Sequence, residues 1–116
     1  MKAAALLMVA SMLVACSGHD PQGAVSAVAR ALYDDDPGAV SAHFDDTLRP
    51  KLTRAGVGLI SDKMHALGNY DGLTLLAING TKHEYTYRAS FSKGTMNVVV
   101  RVDPDGRFAA YRLFPT

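Results

Sequence analysis

Side chains that could do chemistry are few in this sequence of 116 residues, and they are widely spaced. The four histidines lack both the i, i+4 spacing and the H-E-x-x-H pattern of a metal site. They are His19, His43, His65 and His83. The sequence also contains no G-x-S-x-G, no G-x-x-x-x-G-K-[ST] and no G-x-G-x-x-G. We therefore predict no metal, no cofactor and no catalytic residue from motifs.

Aromatic residues are the best candidates for lining a pocket. In the segment HEYTYRASF, Tyr85, Tyr87 and Phe91 alternate with polar residues, so they share one face of a predicted strand. Buried tyrosine hydroxyls need hydrogen-bond partners, so the two tyrosines either hydrogen-bond to helix backbone or line a partly wet pocket. The predicted pocket set is Tyr85, Tyr87, Phe91 and Tyr111, and its ligand would be small and hydrophobic.

Arginines define the opposite face of the same predicted sheet. Arg88 and Arg101 alternate with the core-facing residues, and Glu84 and Thr86 lie near them. They form a polar outer surface, for which we predict a role as an interface. The three acidic residues of the DDD run are explained as a helix cap with flanking charge, with a cation cluster as the alternative.

The only cysteine, Cys16, follows an apolar N-terminal run. Lys2 gives a positive end, and residues 3–14 are Ala, Leu, Met and Val with a single Ser. This shape is typical of a secretory signal peptide. The run is about a dozen residues long, whereas a membrane-spanning helix needs about 20, so we predict no permanent transmembrane segment.

The tetrad Leu13, Val14, Ala15, Cys16 resembles the lipobox of bacterial lipoproteins. The resemblance implies diacylglyceryl transfer to the thiol, cleavage before Cys16 and acylation, commonly with palmitate, of the new N-terminus. The domain prediction follows: residues 1–15 are a lipoprotein signal peptide, 16–19 the lipidated cysteine with a short tether, and 20–116 one α+β domain. Membrane lipid is thus the first expected partner, and the bacterial cell envelope the expected location. An Asp directly after the lipidated cysteine resembles an inner-membrane retention signal. This position is Ser17 here, which favours the periplasmic face of the outer membrane.

Charge excludes one class of partner. Loss of Lys2 with the signal peptide leaves 11 basic residues against 11 acidic ones, whereas a nucleic-acid binder normally shows a basic balance or stripe. Residues 17–46 carry −5 and residues 47–116 carry +5. This asymmetry reflects either solvated helix ends and strand faces or a basic sheet half that meets an anionic partner or headgroup layer.

Apolar spacing in the first half predicts helices. Asp20 is the expected N-cap of a helix that begins at Pro21, and Asp36 and Pro37 repeat this pattern for a second, short helix. The first helix has an apolar stripe at i, i+3, i+4 and i+7. The stripe consists of Val25, Val28, Ala29 and Leu32. Gly56 and Gly58 are expected to end a brief third helix, and a further helix carrying Ile60, Met64 and Leu67 ends at Gly68.

After Gly72 the apolar period changes to two, which predicts four antiparallel strands. Asn79-Gly80, Lys93-Gly94 and residues 103–106 are the expected turns. The last strand carries bulk on both faces, since Phe108 and Phe114 have the opposite parity to Tyr111 and Leu113. We expect a bulge near Gly106 or a sharp bend of the sheet to resolve this conflict. The fold class is therefore α+β, with N-terminal helices packed on a curved four-stranded antiparallel sheet.

Several segments together resemble the nuclear transport factor 2-like (cystatin-like) superfamily, and within it a bacterial family of unknown function. They are DDDPGAVSAHF, ALGNY, the Phe91–Gly94 hairpin and RVDPDGRFAAYRLFP. The resemblance implies a cone-shaped fold whose mouth can hold a small ligand, and homodimers that pair through the sheet. No catalytic residue of the enzymes in that superfamily maps onto a matching motif here.

Three functions stay open from the sequence. The first is a non-catalytic ligand-binding or protein-interaction domain that is anchored to the envelope by lipid. The second is a small-molecule isomerase or hydrolase that uses a pocket carboxylate with Tyr85 or Tyr87. The third is an accessory subunit of an envelope complex.

Overall fold

The structure is a computed structural model, and it describes residues 21–116. Its helical elements are α1 (Gln22–Tyr33), α2 (Pro37–Ser41), a 3₁₀ turn (Arg49–Lys51) and α3 (Arg54–Ala66). Its strands are β1 (Tyr70–Asn79), β2 (Glu84–Phe91), β3 (Gly94–Val102) and β4 (Phe108–Pro115). The strands form one antiparallel sheet in the order β1-β2-β3-β4. The α+β class with a four-stranded antiparallel sheet is thus confirmed.

The predictions for the signal peptide, the lipobox ending at Cys16, the tether and the Asp20 cap lie outside the described residues. Within residues 21–116, none of the helices has the length and apolar character needed to span a bilayer.

The first two helices form as their spacing predicts. All four residues of the α1 stripe are buried. In α2, Asp36 is the N-cap and its carboxylate accepts a hydrogen bond from the Ala39 N–H at 3.2 Å, while Pro37 is the first helical residue. Helix α1 begins at Gln22 rather than at Pro21, which instead occupies the cap position.

Helix α3 corrects the prediction that Gly56 and Gly58 end a helix. The helix instead begins after Thr53, whose hydroxyl accepts a hydrogen bond from the Gly56 N–H at 2.9 Å, and it continues to Ala66. A glycine inside a helix costs about 1 kcal/mol relative to alanine. Burial of Val57 and Met64 outweighs this cost. Gly68, with φ of +96°, turns the chain after the helix as predicted.

The sheet buries the face that the alternation predicts. Tyr87 of β2 lies opposite Val98 of β3, and Ala89 lies opposite Met96, and all four are buried. Strand β1 begins at Tyr70, three residues before the predicted start at Leu73, and Gly72 follows an irregularity in its register.

A bulge in β4 resolves the parity conflict of the last strand. Arg101 lies opposite Ala110 and Val102 lies opposite Phe108, so Ala109 is the extra residue. The bulge shifts the alternation by one residue, which places Phe108 and Tyr111 in the same apolar core, whereas Phe114 is 46 % exposed. The predicted bulge near Gly106 is confirmed.

Candidate functional site

An apolar groove lies between helix α3 and the edge strand β4. Its volume is about 590 Å³. Residues of α3 and the following Leu67 form one wall, five consecutive residues of β4 form the other, and Met96 lies between them. These residues are Ile60, Lys63, Ala66, Leu67, Met96, Tyr111, Arg112, Leu113, Phe114 and Pro115. An adjoining cavity of about 260 Å³ shares Ile60, Tyr111 and Leu113. We refer to the two together as the groove.

Contacts with α1 hold the helical wall of the groove in place. The Ser61 hydroxyl donates to the Tyr33 carbonyl at 2.9 Å. The ring of His65 stacks on the ring of Tyr33 at 3.9 Å between centroids, and His65 Nε2 lies 2.8 Å from the same carbonyl. Because these contacts use one side of α3, Ile60 and Lys63 are left along the groove.

Tyr111 fixes the strand wall. Its hydroxyl donates to the Val25 carbonyl of α1 at 2.8 Å. Burial raises the pKa of Tyr111 well above that of a free tyrosine, and the nearby Tyr70 and Tyr87 raise it further. The hydroxyl therefore stays neutral and ties β4 to α1, while the ring lines both cavities.

Of the four residues predicted to line a pocket, only Tyr111 lies along the groove. Tyr87 is fully buried, and Phe91 is buried against Tyr33 and Tyr70. Tyr85 is half-buried, with its ring 6.5 Å from that of Tyr87. These three lie on β2, in the interior of the sheet, and their pocket role stays a prediction.

Sequence reasoning missed the other wall of the groove, since no pattern in α3 shows that it lies beside β4. The sequence contains one signal of the groove: the last strand has large apolar side chains on both of its faces, although only one face can pack on the core. Phe114 is the excess residue, and it lines the groove.

The outer face of the sheet carries the predicted arginines. Arg88 and Arg101 are exposed there, and neither makes an ion pair among residues 21–116. A third arginine, Arg112, lies 3.6 Å from the Glu84 carboxylate. The role of Arg88 and Arg101 as an interface, including a homodimer interface, stays a prediction.

An acidic hollow of about 620 Å³ lies elsewhere, between the 45–47 turn and the β3–β4 turn. Hydrogen bonds from the Thr47 hydroxyl and the Leu48 N–H lower the pKa of the Asp45 carboxyl. Asp103 accepts from the N–H groups of Asp105 and Arg107. These carboxylates stabilise turns, and the described part of the chain contains no group of three or more His, Cys, Asp or Glu side chains that could hold a metal ion.

Comparison of the chain with family models, with curated proteins and with solved structures gave no match. The chemistry of the groove is therefore the basis for assigning a function.

Proposed function

We propose that this protein is a lipid-anchored binding protein of the bacterial cell envelope, and that its folded domain is non-catalytic and holds an apolar ligand in the groove. The observation that carries the proposal is the groove itself, whose two walls leave Ile60, Leu113 and Phe114 accessible to a ligand. Apolar clefts of several hundred Å³ with a few polar groups are typical ligand sites.

The composition of the groove favours binding over catalysis. Among the described residues that line it, none is a carboxylate, a cysteine or a serine. Its one threonine hydroxyl, that of Thr53, already caps helix α3. The isomerase or hydrolase alternative needs a carboxylate beside Tyr85 or Tyr87, and neither tyrosine lines the groove.

The proposed fold family is the nuclear transport factor 2-like superfamily. Two features support it: helices precede the sheet and pack on one face, and irregularities in β1 and β4 bend the edge strands. A curved sheet around helices is the geometry of a cone. The groove would then be an opening of that cone along β4.

The proposed location depends on the sequence. Cys16 is the proposed lipidation site, and the segment of three residues to Asp20 spans at most about 14 Å. The domain would therefore bind its ligand close to the periplasmic face of the outer membrane. An accessory role in an envelope complex is compatible with this position.

The proposal is tested on the full chain, isolated from bacterial membranes in mild detergent and measured by native mass spectrometry. Ala66→Trp fills the groove from an exposed position of α3, and Ala55→Trp is the matched control on the same helix outside the groove. We expect a retained molecule of defined mass on the wild type and on the Ala55→Trp variant, and none on Ala66→Trp. Absence from the wild type, or equal retention by both variants, would refute the groove as the binding site.

A further inference from the structure

The pairing of β4 with β3 determines which N–H and C=O groups of β4 point into the sheet and which point away from it. The Val102 N–H donates to the His83 carbonyl, toward β2, at 3.0 Å. Because successive N–H groups of a strand point to opposite sides, the N–H groups of Val99 and Arg101 point toward β4. Their partners in β4 are Arg112 and Ala110. The backbone groups of Ala110 and Arg112 are therefore used within the sheet.

Tyr111 and Leu113 then direct their N–H and C=O groups away from β3. In the described part of the chain, no turn or loop donates to these groups or accepts from them. They lie at the groove, because residues of both parities from 111 to 115 line it. The strand wall of the groove is thus the open hydrogen-bonding edge of β4, not one face of the sheet.

The same edge already pairs with an extended segment nearer its start. The Phe108 N–H donates to the His43 carbonyl, and the Asp45 N–H donates to the Phe108 carbonyl, both at 2.9 Å. This is a parallel bridge between Phe44 and Phe108. The opposite edge of the sheet is protected in another way, since Gln22 Nε2 donates to the Leu73 carbonyl and β1 is irregular at two places.

Charge distinguishes among possible occupants of this edge. Lys51, Lys63 and Arg112 lie along the groove, and Arg112 also lies 3.6 Å from the Glu84 carboxylate. None of the described residues that line the groove is acidic. Antiparallel pairing of two copies centred on Arg112 would place two arginines directly opposite each other, which is destabilising. An acid-bearing partner is favoured by the same charges.

We propose that the ligand of the groove is an extended polypeptide segment of a partner protein, which adds a strand to β4. Its backbone would bond to Tyr111 and Leu113. Its side chains on the α3 side would contact Ile60, and those on the other side would contact Phe114 and include an acidic residue near Arg112. Strand addition of this kind gains affinity from the backbone and specificity from alternate side chains. The inference rests on the groove being the binding site.

The test uses the full chain in lipid nanodiscs and a capped synthetic hexapeptide of alternating valine and threonine with one threonine replaced by glutamate. Amide hydrogen exchange is read at single residues. We expect exchange at Tyr111 and Leu113 to slow at least about tenfold on peptide binding, with little change at Arg112, which already bonds to β3. The Ala66→Trp variant should lose this protection and Ala55→Trp should keep it.

Further peptides test the backbone hydrogen bonds and the charge separately. One peptide is N-methylated at the odd-numbered residues and another at the even-numbered residues. Only one of these two sets of N–H groups faces β4, so one methylated peptide should lose binding and the other should keep it. Replacing the glutamate with glutamine should weaken binding about two- to fivefold. Strand addition is overturned if both methylated peptides bind as well as the parent peptide, or if peptide binding does not slow amide exchange at Tyr111 and Leu113. The proposed binding function is refuted separately, by the retained-molecule experiment above: either the wild type isolated from membranes holds no molecule, or the Ala66→Trp and Ala55→Trp variants retain it equally.

Discussion

At the scale of single residues, Tyr111 connects the core to the groove. Its hydroxyl bonds to α1 while its ring lines the cavity. We expect Tyr111→Phe to lower the free energy of unfolding by about 1 kcal/mol, because it removes one buried hydrogen bond. Urea unfolding followed by circular dichroism measures the change. An unchanged free energy of unfolding would show that the bond contributes nothing.

The raised pKa of Tyr111 predicts a dependence on alkaline pH. Tyr111 ionises near pH 10 in the unfolded chain, whereas in the folded protein it stays protonated to higher pH. The folded state then binds more protons above pH 10, so the free energy of unfolding falls as pH rises. We expect the advantage of the wild type over Tyr111→Phe to shrink between pH 9 and pH 11, by up to about 1.4 kcal/mol per pH unit. A constant difference would contradict the assigned burial.

Cys16 carries the proposed anchor. Cys16→Ser should block thiol acylation and leave the chain in its precursor form, because no other cysteine is present. Labelling of growing cells with radioactive palmitate, with the wild type beside the variant, measures the effect. Normal labelling of the variant would show that the lipobox interpretation is wrong.

At the scale of elements, β3 is one of the two interior strands of the sheet, and its buried face contributes to the core. Val100 is fully buried, whereas its neighbour Val99 is turned to the other face and only half-buried. We expect Val100→Asp to unfold the domain, since an unpaired charge in the core is very costly. Val99→Asp is the matched control and should stay folded, because Val99 lies opposite Arg112. Circular dichroism distinguishes these outcomes, and a folded Val100→Asp protein would show that the assignment of faces is wrong.

The two glycines of α3 differ in their surroundings. A Cβ added at Gly58 would lie 3.8 Å from Asp35 Oδ1, which is an ordinary contact, but one at Gly56 would lie 2.9 Å from the Thr53 hydroxyl that caps the helix. We expect Gly58→Ala to stabilise the protein by about 1 kcal/mol, which raises Tm by about 4–8 °C for a domain of this size. Gly56→Ala should gain less or lose stability. Equal gains in thermal unfolding would argue against the Thr53 cap.

Local signals explain which elements the sequence predicts. The α1 stripe and the Asp36 cap depend on residues within one or two turns of each other, and the bulge in β4 follows from apolar bulk at two parities. The prediction that Gly56 and Gly58 end a helix is wrong because it depends on a local signal, whereas the burial that outweighs the two glycines comes from residues distant in sequence. Phe44 and Tyr87 are examples in the same core. The groove requires α3 to lie beside β4, and that contact has no local signature.

At the scale of the whole molecule, the protein combines an N-terminal lipid anchor, which is proposed, with a domain that has one open sheet edge beside an apolar groove. The basic residues at the groove belong to the half of the chain that carries +5. Three of the ten basic residues of that half, Lys51, Lys63 and Arg112, lie at the groove, and they favour an acidic ligand over a basic one.

The measurement that tests the central claim most directly is photo-crosslinking in living cells. Benzoylphenylalanine is placed at Phe114, which lines the groove, or at Leu59, which is 58 % exposed on α3 and lies outside it. After irradiation, intact-mass analysis of the full chain should show an adduct of defined mass at position 114 and none at position 59, and Ala66→Trp should remove it. No adduct at position 114, or the same adduct at both positions, would contradict the account.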